Sequence, residues 1–164
     1  MKTLYLVRHA KSSWEDPLMD DFDRPLNARG RSDAPRMGKR LKEKDPHPDM
    51  LVSSPAERAL STCLIIAKQL GYSLHSVDTD RRLYHATDEQ LLSIVRDFHD
   101  ANDEIMVFAH NPGLTDFVNR LSNESVTDNI PTCGVVCVKV PVKSWTDVRW
   151  GEGEVVFFDF PKNR

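Results

Sequence analysis

Two apolar runs in this chain end in histidine. Leu4-Tyr5-Leu6-Val7 runs into Arg8 and His9, and Ile105-Met106-Val107-Phe108-Ala109 runs into His110. A third run, Met50-Leu51-Val52-Ser53, is followed shortly by Arg58. Guanidinium groups bind tetrahedral oxyanions through forked, charge-assisted hydrogen bonds, and imidazole can act as nucleophile, acid or base near neutral pH. Arg8 and His9 therefore read as the floor of a phosphate site, provided that Arg58 and His110 reach the same place.

The elements around these residues are suited to bring them together. Apolar runs this short and continuous read as strands buried on both faces of a parallel sheet, and such sheets place ligands at the carboxyl ends of their strands. The first strand is expected from Lys2 to Arg8 and the second from Asp49 to Ser53. A short strand is expected from Ser73 to Val77, and another up to His110. Asn27 is a candidate N-cap for a helix running to about Lys44, which Pro35 should kink or delay. Ser54 and Glu57 form a capping-box pattern with Pro55 at the first helical position, opening a helix that Gly71 closes. Thr87 and Gln90 repeat that pattern before Leu91, Ile94 and Val95. Asn111 and Pro112 start a last helix with Leu114, Phe117, Val118 and Leu121 inward. Arg58, in a first helical turn, tilts back toward the strand end it follows. Helix starts add free N–H groups and positive dipole.

The final third changes character. Gly134 to Val140 and Val155 to Phe160 read as strands, Trp145 to Trp150 as another, and Gly151-Glu152-Gly153 as a hairpin turn. The expected fold is α/β: a mostly parallel central sheet with helices on both faces and a β-rich C-terminal part holding an antiparallel strand. The 164 residues suit one domain, 1–164.

Composition narrows the function classes. A net charge of −3 from interspersed signs gives no nucleic-acid footprint, and no apolar stretch is long enough for a membrane span. The N-terminus has no signal-peptide layout, and three cysteines without secretory context argue against a disulfide framework, so the expected location is cytoplasmic. No Cys-x5-Arg run occurs, which excludes a cysteine-phosphatase loop. The pairs Asp21/Asp23 and Asp78/Asp80 lack the following Thr or Val of an aspartyl-phosphate loop. A metal held by His9, His85 and His110 would have to sit among arginines that repel it. Taken singly, a strand-end histidine is more often structural than catalytic. Three segments pointing to one edge favour the site.

The motifs resemble those of the histidine phosphatase superfamily, the phosphoglycerate mutase-like proteins. Leu6-Val7-Arg8-His9-Ala10 is similar to its first motif, Ser53 to Thr62 to its second, and Ala109-His110-Asn111-Pro112-Gly113-Leu114 to its third. Asp23-Arg24-Pro25-Leu26, Leu83-Tyr84-His85-Ala86 and the small size make the SixA-type phosphohistidine phosphatases the most similar group. The resemblance implies that His9 is a nucleophile forming a phosphohistidine intermediate. It implies that Arg8 and Arg58 hold phosphoryl oxygens, that His110 donates a further bond, and that Arg24 completes the pocket, with no metal or other cofactor. The chain departs from the wider family where many members carry a glutamate as leaving-group acid, because His85 stands there. Imidazole is a far better leaving group than an alkoxide, so this departure leans toward phosphohistidine on proteins. His85, Asp88 or Glu89 remain candidate proton donors. The implied partner is a phosphohistidine-bearing relay or phosphotransfer domain, with a small phosphorylated metabolite as the alternative. A non-catalytic phosphohistidine-binding module is the reading from another class. Oligomeric state is left open.

Overall fold

The computed structural model describes residues 1–163; Arg164, the last residue of the expected domain, lies outside them. The strands are β1 (Lys2–Arg8), β2 (Met50–Ser53), β3 (Val77–Thr79), β4 (Glu104–Ala109), β5 (Val135–Val140) and β6 (Glu154–Asp159). The helices are α1 (Ala28–Glu43), α2 (Glu57–Gln69), α3 (Asp88–Arg96) and α4 (Gly113–Leu121). One six-stranded sheet has the order β3-β2-β4-β1-β5-β6. β3, β2, β4 and β1 pair in parallel, β5 runs antiparallel to β1, and β6 antiparallel to β5.

Strand alternation divides the core between the two sheet faces. Leu4, Leu6, Ile105, Val107, Val136 and Val138 face one cluster with Ile94 and Val95 of α3 and Phe117 and Val118 of α4. Tyr5, Val7, Met106, Phe108 and Val135 face the other with Met37 and Leu41 of α1 and Cys63 and Ile66 of α2. The expected α/β sheet with helices on both faces is thus the observed one. Among the described residues, no helix is long and apolar enough to cross a membrane.

Several local expectations are corrected. The Asn27 cap and the helix end near Lys44 are as expected, but Pro35 does not delay the start: α1 begins at Ala28 and runs through Pro35. The Asn27 side chain accepts from Gly30 N, and Gly30 packs so tightly on Lys11 that an added Cβ would lie 2.1 Å from the Lys11 carbonyl oxygen. These contacts and the buried Ala34, Met37 and Leu41 offset the hydrogen bond that proline removes. The Ser54–Glu57 capping box is not made, and α2 starts at Glu57 after Ala56. Ser54 is instead drawn into contact with His110. The strand expected at Ser73–Val77 is displaced to Val77–Thr79. The Ser73 side chain accepts from His75 N and Ser76 Oγ donates to Ser73 O, folding Leu74–Ser76 into a 3-10 turn. Trp145–Trp150 is no strand: Ser144 caps a short turn at Trp145–Asp147, and the buried Trp145 indole donates to Asn102 O. Gly151–Gly153 is not a hairpin tip. Gly151 (φ 78°) and Gly153 donate to Arg120 O and Leu121 O at the end of α4.

The capping box at Thr87 and Gln90 is present as expected. α4 begins against the preceding segment, where a Cβ on Gly113 would lie 1.8 Å from Ala86 O. That close approach sets the end of β4 beside His85.

Candidate active site

The parallel order β2-β4-β1 puts three strand ends side by side. Main-chain bonds tie them together: His9 N to Ala109 O, Ser54 N to Phe108 O, and Arg8 N to Gly134 O. Arg8 and His9 leave β1, Ser54 follows β2, His110 follows β4, and Arg58 projects from the first turn of α2. Arg8, His9, Arg24 and Arg58 line one cleft of about 190 Å³ with Lys11, Ser12, Trp14 and Thr132. The cleft has room for a phosphoryl group.

His9 is buried, and its Nδ1–H donates to Ala10 O at 2.7 Å. A carbonyl can only accept, so this bond fixes the tautomer and leaves the Nε2 lone pair free. Burial is the largest cause lowering the His9 pKa, to about 4. The Ala10 bond works against it, and the charges of Arg58, Arg8 and Arg24 add to it. Arg8 donates to Ile130 O at 2.9 Å, while its buried Nε has no partner among the described residues. Burial, then the charge of Arg58, lowers its pKa. Arg24 donates through Nε to Ser13 O, through one terminal nitrogen to Ser12 Oγ and through the other to Asp21, and it lies against the exposed Trp14 ring. Arg58 is 3% exposed, and the carbonyl of this residue accepts from Thr62 Oγ1. Thr62 Oγ1 in turn accepts from Ala10 N, joining α2 to the His9 loop.

His110 and His85 do not line that cleft. His110 is buried beside it, ring centroid 5.2 Å from that of His9 and 5.4 Å from that of His85. Its Nε2 lies 2.8 Å from Ser54 Oγ, and its buried Nδ1 has no partner among the described residues. Burial, then the neighbouring His9, Arg58 and His85, holds its pKa far below the usual range. His85 is exposed in a left-handed conformation (φ 55°), its ring against Tyr84 and its Nε2 3.0 Å from Asp21. Asp88 and Glu89 are taken up by Arg120 on α3's outer side.

Reading the sequence alone passes over Asp21 and Ser54. Asp21 Oδ1 accepts from Arg24, and Oδ2 accepts from Arg58 Nη2 at 2.9 Å and Tyr84 Oη at 2.7 Å. Its main-chain oxygen accepts from Arg58 Nη1. Burial pushes its carboxyl pKa up, but the bonds from Tyr84, Arg58 and Arg24 outweigh burial and hold it well below the usual range. Among the described residues, no group of three His, Cys, Asp or Glu is arranged to hold a metal.

The buried imidazoles predict an acid-sensitive fold. His9 takes up its proton near pH 4 in the native state and near 6.5 when unfolded, and His110 is displaced the same way. Between those values the unfolded chain binds more protons, so stability rises with pH across the window. The melting temperature should fall steadily as pH drops from 6.5 toward 4. A flat profile over that range would contradict the burial of neutral imidazoles.

An α/β sheet that gathers guanidinium and imidazole groups at its strand ends defines a phosphoryl-handling protein. The family model of the histidine phosphatase superfamily (branch 1) matches residues 4–87, and the chain belongs to that superfamily. Phosphatase chemistry is therefore the class to be read in this cleft. An uncharacterised chloroplastic protein of Arabidopsis thaliana is 28% identical over 160 residues, covering 89% of this chain and 70% of that one. The fold is similar to that of SixA from Agrobacterium tumefaciens (TM-score 0.81, 24% identity, 98% of each chain). It is also similar to a protein histidine phosphatase SixA solved with tungstate (TM-score 0.75, 17% identity, 97% of each chain).

Proposed function

We propose that this protein hydrolyses phosphohistidine through a phosphorylated His9. The observation that carries the reading is the His9 tautomer: Nδ1–H is committed to Ala10 O, so a free Nε2 lone pair stands in a cleft lined by three arginines. Nε2 attacks phosphorus as the P–N bond breaks, the substrate imidazole, protonated on its other ring nitrogen, departs neutral, and Arg8, Arg24 and Arg58 hold the non-bridging oxygens. His110 sits beside the cleft with its ring 5.2 Å from that of His9, and on this reading it takes up a proton as the dianion binds and turns a donor from Ser54 to the phosphoryl group. Water then attacks phosphorus and returns free His9 and inorganic phosphate. No step is assigned to a cofactor.

Two features support a protein substrate. The cleft opens to solvent beside the exposed Trp14, where the rest of a phosphorylated protein would lie. The family's glutamate position is His85, so no carboxylic acid is dedicated to an alkoxide leaving group. One observation favours a phosphomonoesterase as the second reading: the Asp21 carboxylate, 3.0 Å from His85 Nε2, holds that ring at the position where the wider family carries its leaving-group acid.

Rate against leaving-group pKa separates the two. A phosphohistidine phosphatase loses activity steeply as the leaving group becomes a poorer one, and His85→Ala changes phosphohistidine turnover by no more than about threefold, as expected when imidazole leaves near pKa 6.5. A flat dependence together with a large His85→Ala loss would assign the esterase instead. Wild-type protein that binds phosphohistidine but never labels His9 in a single turnover would be a recognition module.

A further inference from the structure

Arg8, Arg24 and Arg58 bring three positive charges to one small cleft, and among the described residues Asp21 is the carboxylate that pairs with any of them. Asp21 lies in a short 3-10 turn, Asp21–Asp23, of the loop between β1 and α1. Its partners come from three places: Arg24 in its own loop, Arg58 on α2, and Tyr84 with His85 ahead of α3. Arginine side chains lose much rotamer freedom when fixed, and repulsion between neighbouring guanidinium groups works against holding them side by side. We propose that Asp21 is a positioning residue that fixes Arg58 in the orientation in which it meets the phosphoryl group.

Hydrogen counting supports positioning over blockade. A guanidinium has five N–H donors. Arg58 gives Asp21 one from each terminal nitrogen, to the carboxylate and to the main-chain oxygen, so Nε and one hydrogen on each terminal nitrogen stay available. Arg24 gives single hydrogens to Asp21, Ser12 and Ser13 and keeps one on each terminal nitrogen. Each planar fork is thus held by part of its donor set and presents the rest. The two-point grip on Arg58, through carboxylate and carbonyl together, also fixes where the Asp21 turn sits relative to α2. No bond is made or broken by Asp21 itself.

The inference rests on the cleft being a phosphoryl site, and the experiment keeps the two separable. Asp21→Asn, Arg58→Ala and the double variant are compared in kcat and KM on free phosphohistidine and in affinity for inorganic phosphate. Positioning predicts that Asp21→Asn lowers kcat/KM by about ten- to a hundredfold, the scale of a misplaced catalytic group. Because Asp21 acts through Arg58, the double variant should fall no more than about threefold below Arg58→Ala alone. Asp21→Glu, which keeps the charge, should recover part of the loss. The inference is overturned if the two losses multiply, or if Asp21→Asn binds phosphate more tightly with turnover intact, as a mere counter-charge would. If the wild type turns over no phosphorylated substrate, the proposed function fails and the positioning claim is decided by nitrogen-15 NMR. Separate, slowly exchanging Arg58 Nη signals should be present in the wild type and merge in Asp21→Asn; unchanged signals would overturn it.

Discussion

His9→Ala should abolish turnover while leaving the cleft able to bind phosphate. Losing the nucleophile in an enzyme that works through a covalent intermediate costs on the order of 10⁴–10⁶ in kcat. The structure adds a second half to that expectation. His9 is neutral at working pH, since its pKa lies near 4, so its removal does not change the charge that draws in the anion. Arg24 and Arg58 keep their partners in Asp21, Ser12 and Ser13, and none of those bonds passes through His9. Inorganic phosphate should therefore bind His9→Ala within a few-fold of wild type, measured by calorimetry, while the steady-state rate falls to the limit of detection. The fold should hold. The variant removes a hydrogen bond to Ala10 O and leaves a small void, a loss of about 1–3 kcal/mol that a melting curve would register. Turnover within tenfold of wild type would mean that water attacks phosphorus directly. Loss of phosphate binding together with turnover would mean that His9 builds the cleft rather than reacting in it.

Much of this site was legible because parallel strands deliver their last residues to one edge. Leu4 to His9 and Ile105 to His110 needed no knowledge of tertiary packing, since a strand buried on both faces is recognisable from its own composition. Arg58 followed from its place in the first turn of a helix leaving a third strand. Asp21 was not legible, for a physical reason. Its loop carries several aspartates, and any of them reads as a solvated charge until its partners are known. Those partners lie 37 residues away at Arg58, 63 at Tyr84 and 64 at His85. Ser54 was misread for the opposite reason. Its local pattern fits a capping box, but the imidazole of His110, 56 residues further on, takes its hydroxyl. The main cause of His9's lowered pKa was not legible either. Nearby arginines were visible in the motif, whereas the larger cause, burial under the returning chain, belongs to the assembled fold.

Arg8 and Arg58 look equivalent in the sequence, and the structure separates them. Among the described residues Arg58 has a carboxylate partner and Arg8 has none: one Arg8 terminal nitrogen donates to Ile130 O, its Nε is buried and unbonded, and burial with the charge of Arg58 disfavours its cationic form. A half-buried cation whose hydrogen bonds are incomplete costs free energy until an anion arrives. Arg8→Met keeps the stem and removes that cost. Its kcat/KM should fall by about 10²–10³, the usual effect of deleting a preorganised donor to the transition state. In phosphate-free buffer its melting temperature should equal or exceed that of the wild type, so activity and stability move in opposite directions. Phosphate at a hundred times its dissociation constant stabilises a native protein by about 2.7 kcal/mol. The wild type should show that gain and Arg8→Met should lose most of it, because the variant no longer has the unpaired donors that the anion satisfies. A variant that melts several degrees lower without phosphate, yet keeps the phosphate-induced rise, would identify Arg8 as a strut for the Ile130 segment and leave the anion to Arg24 and Arg58.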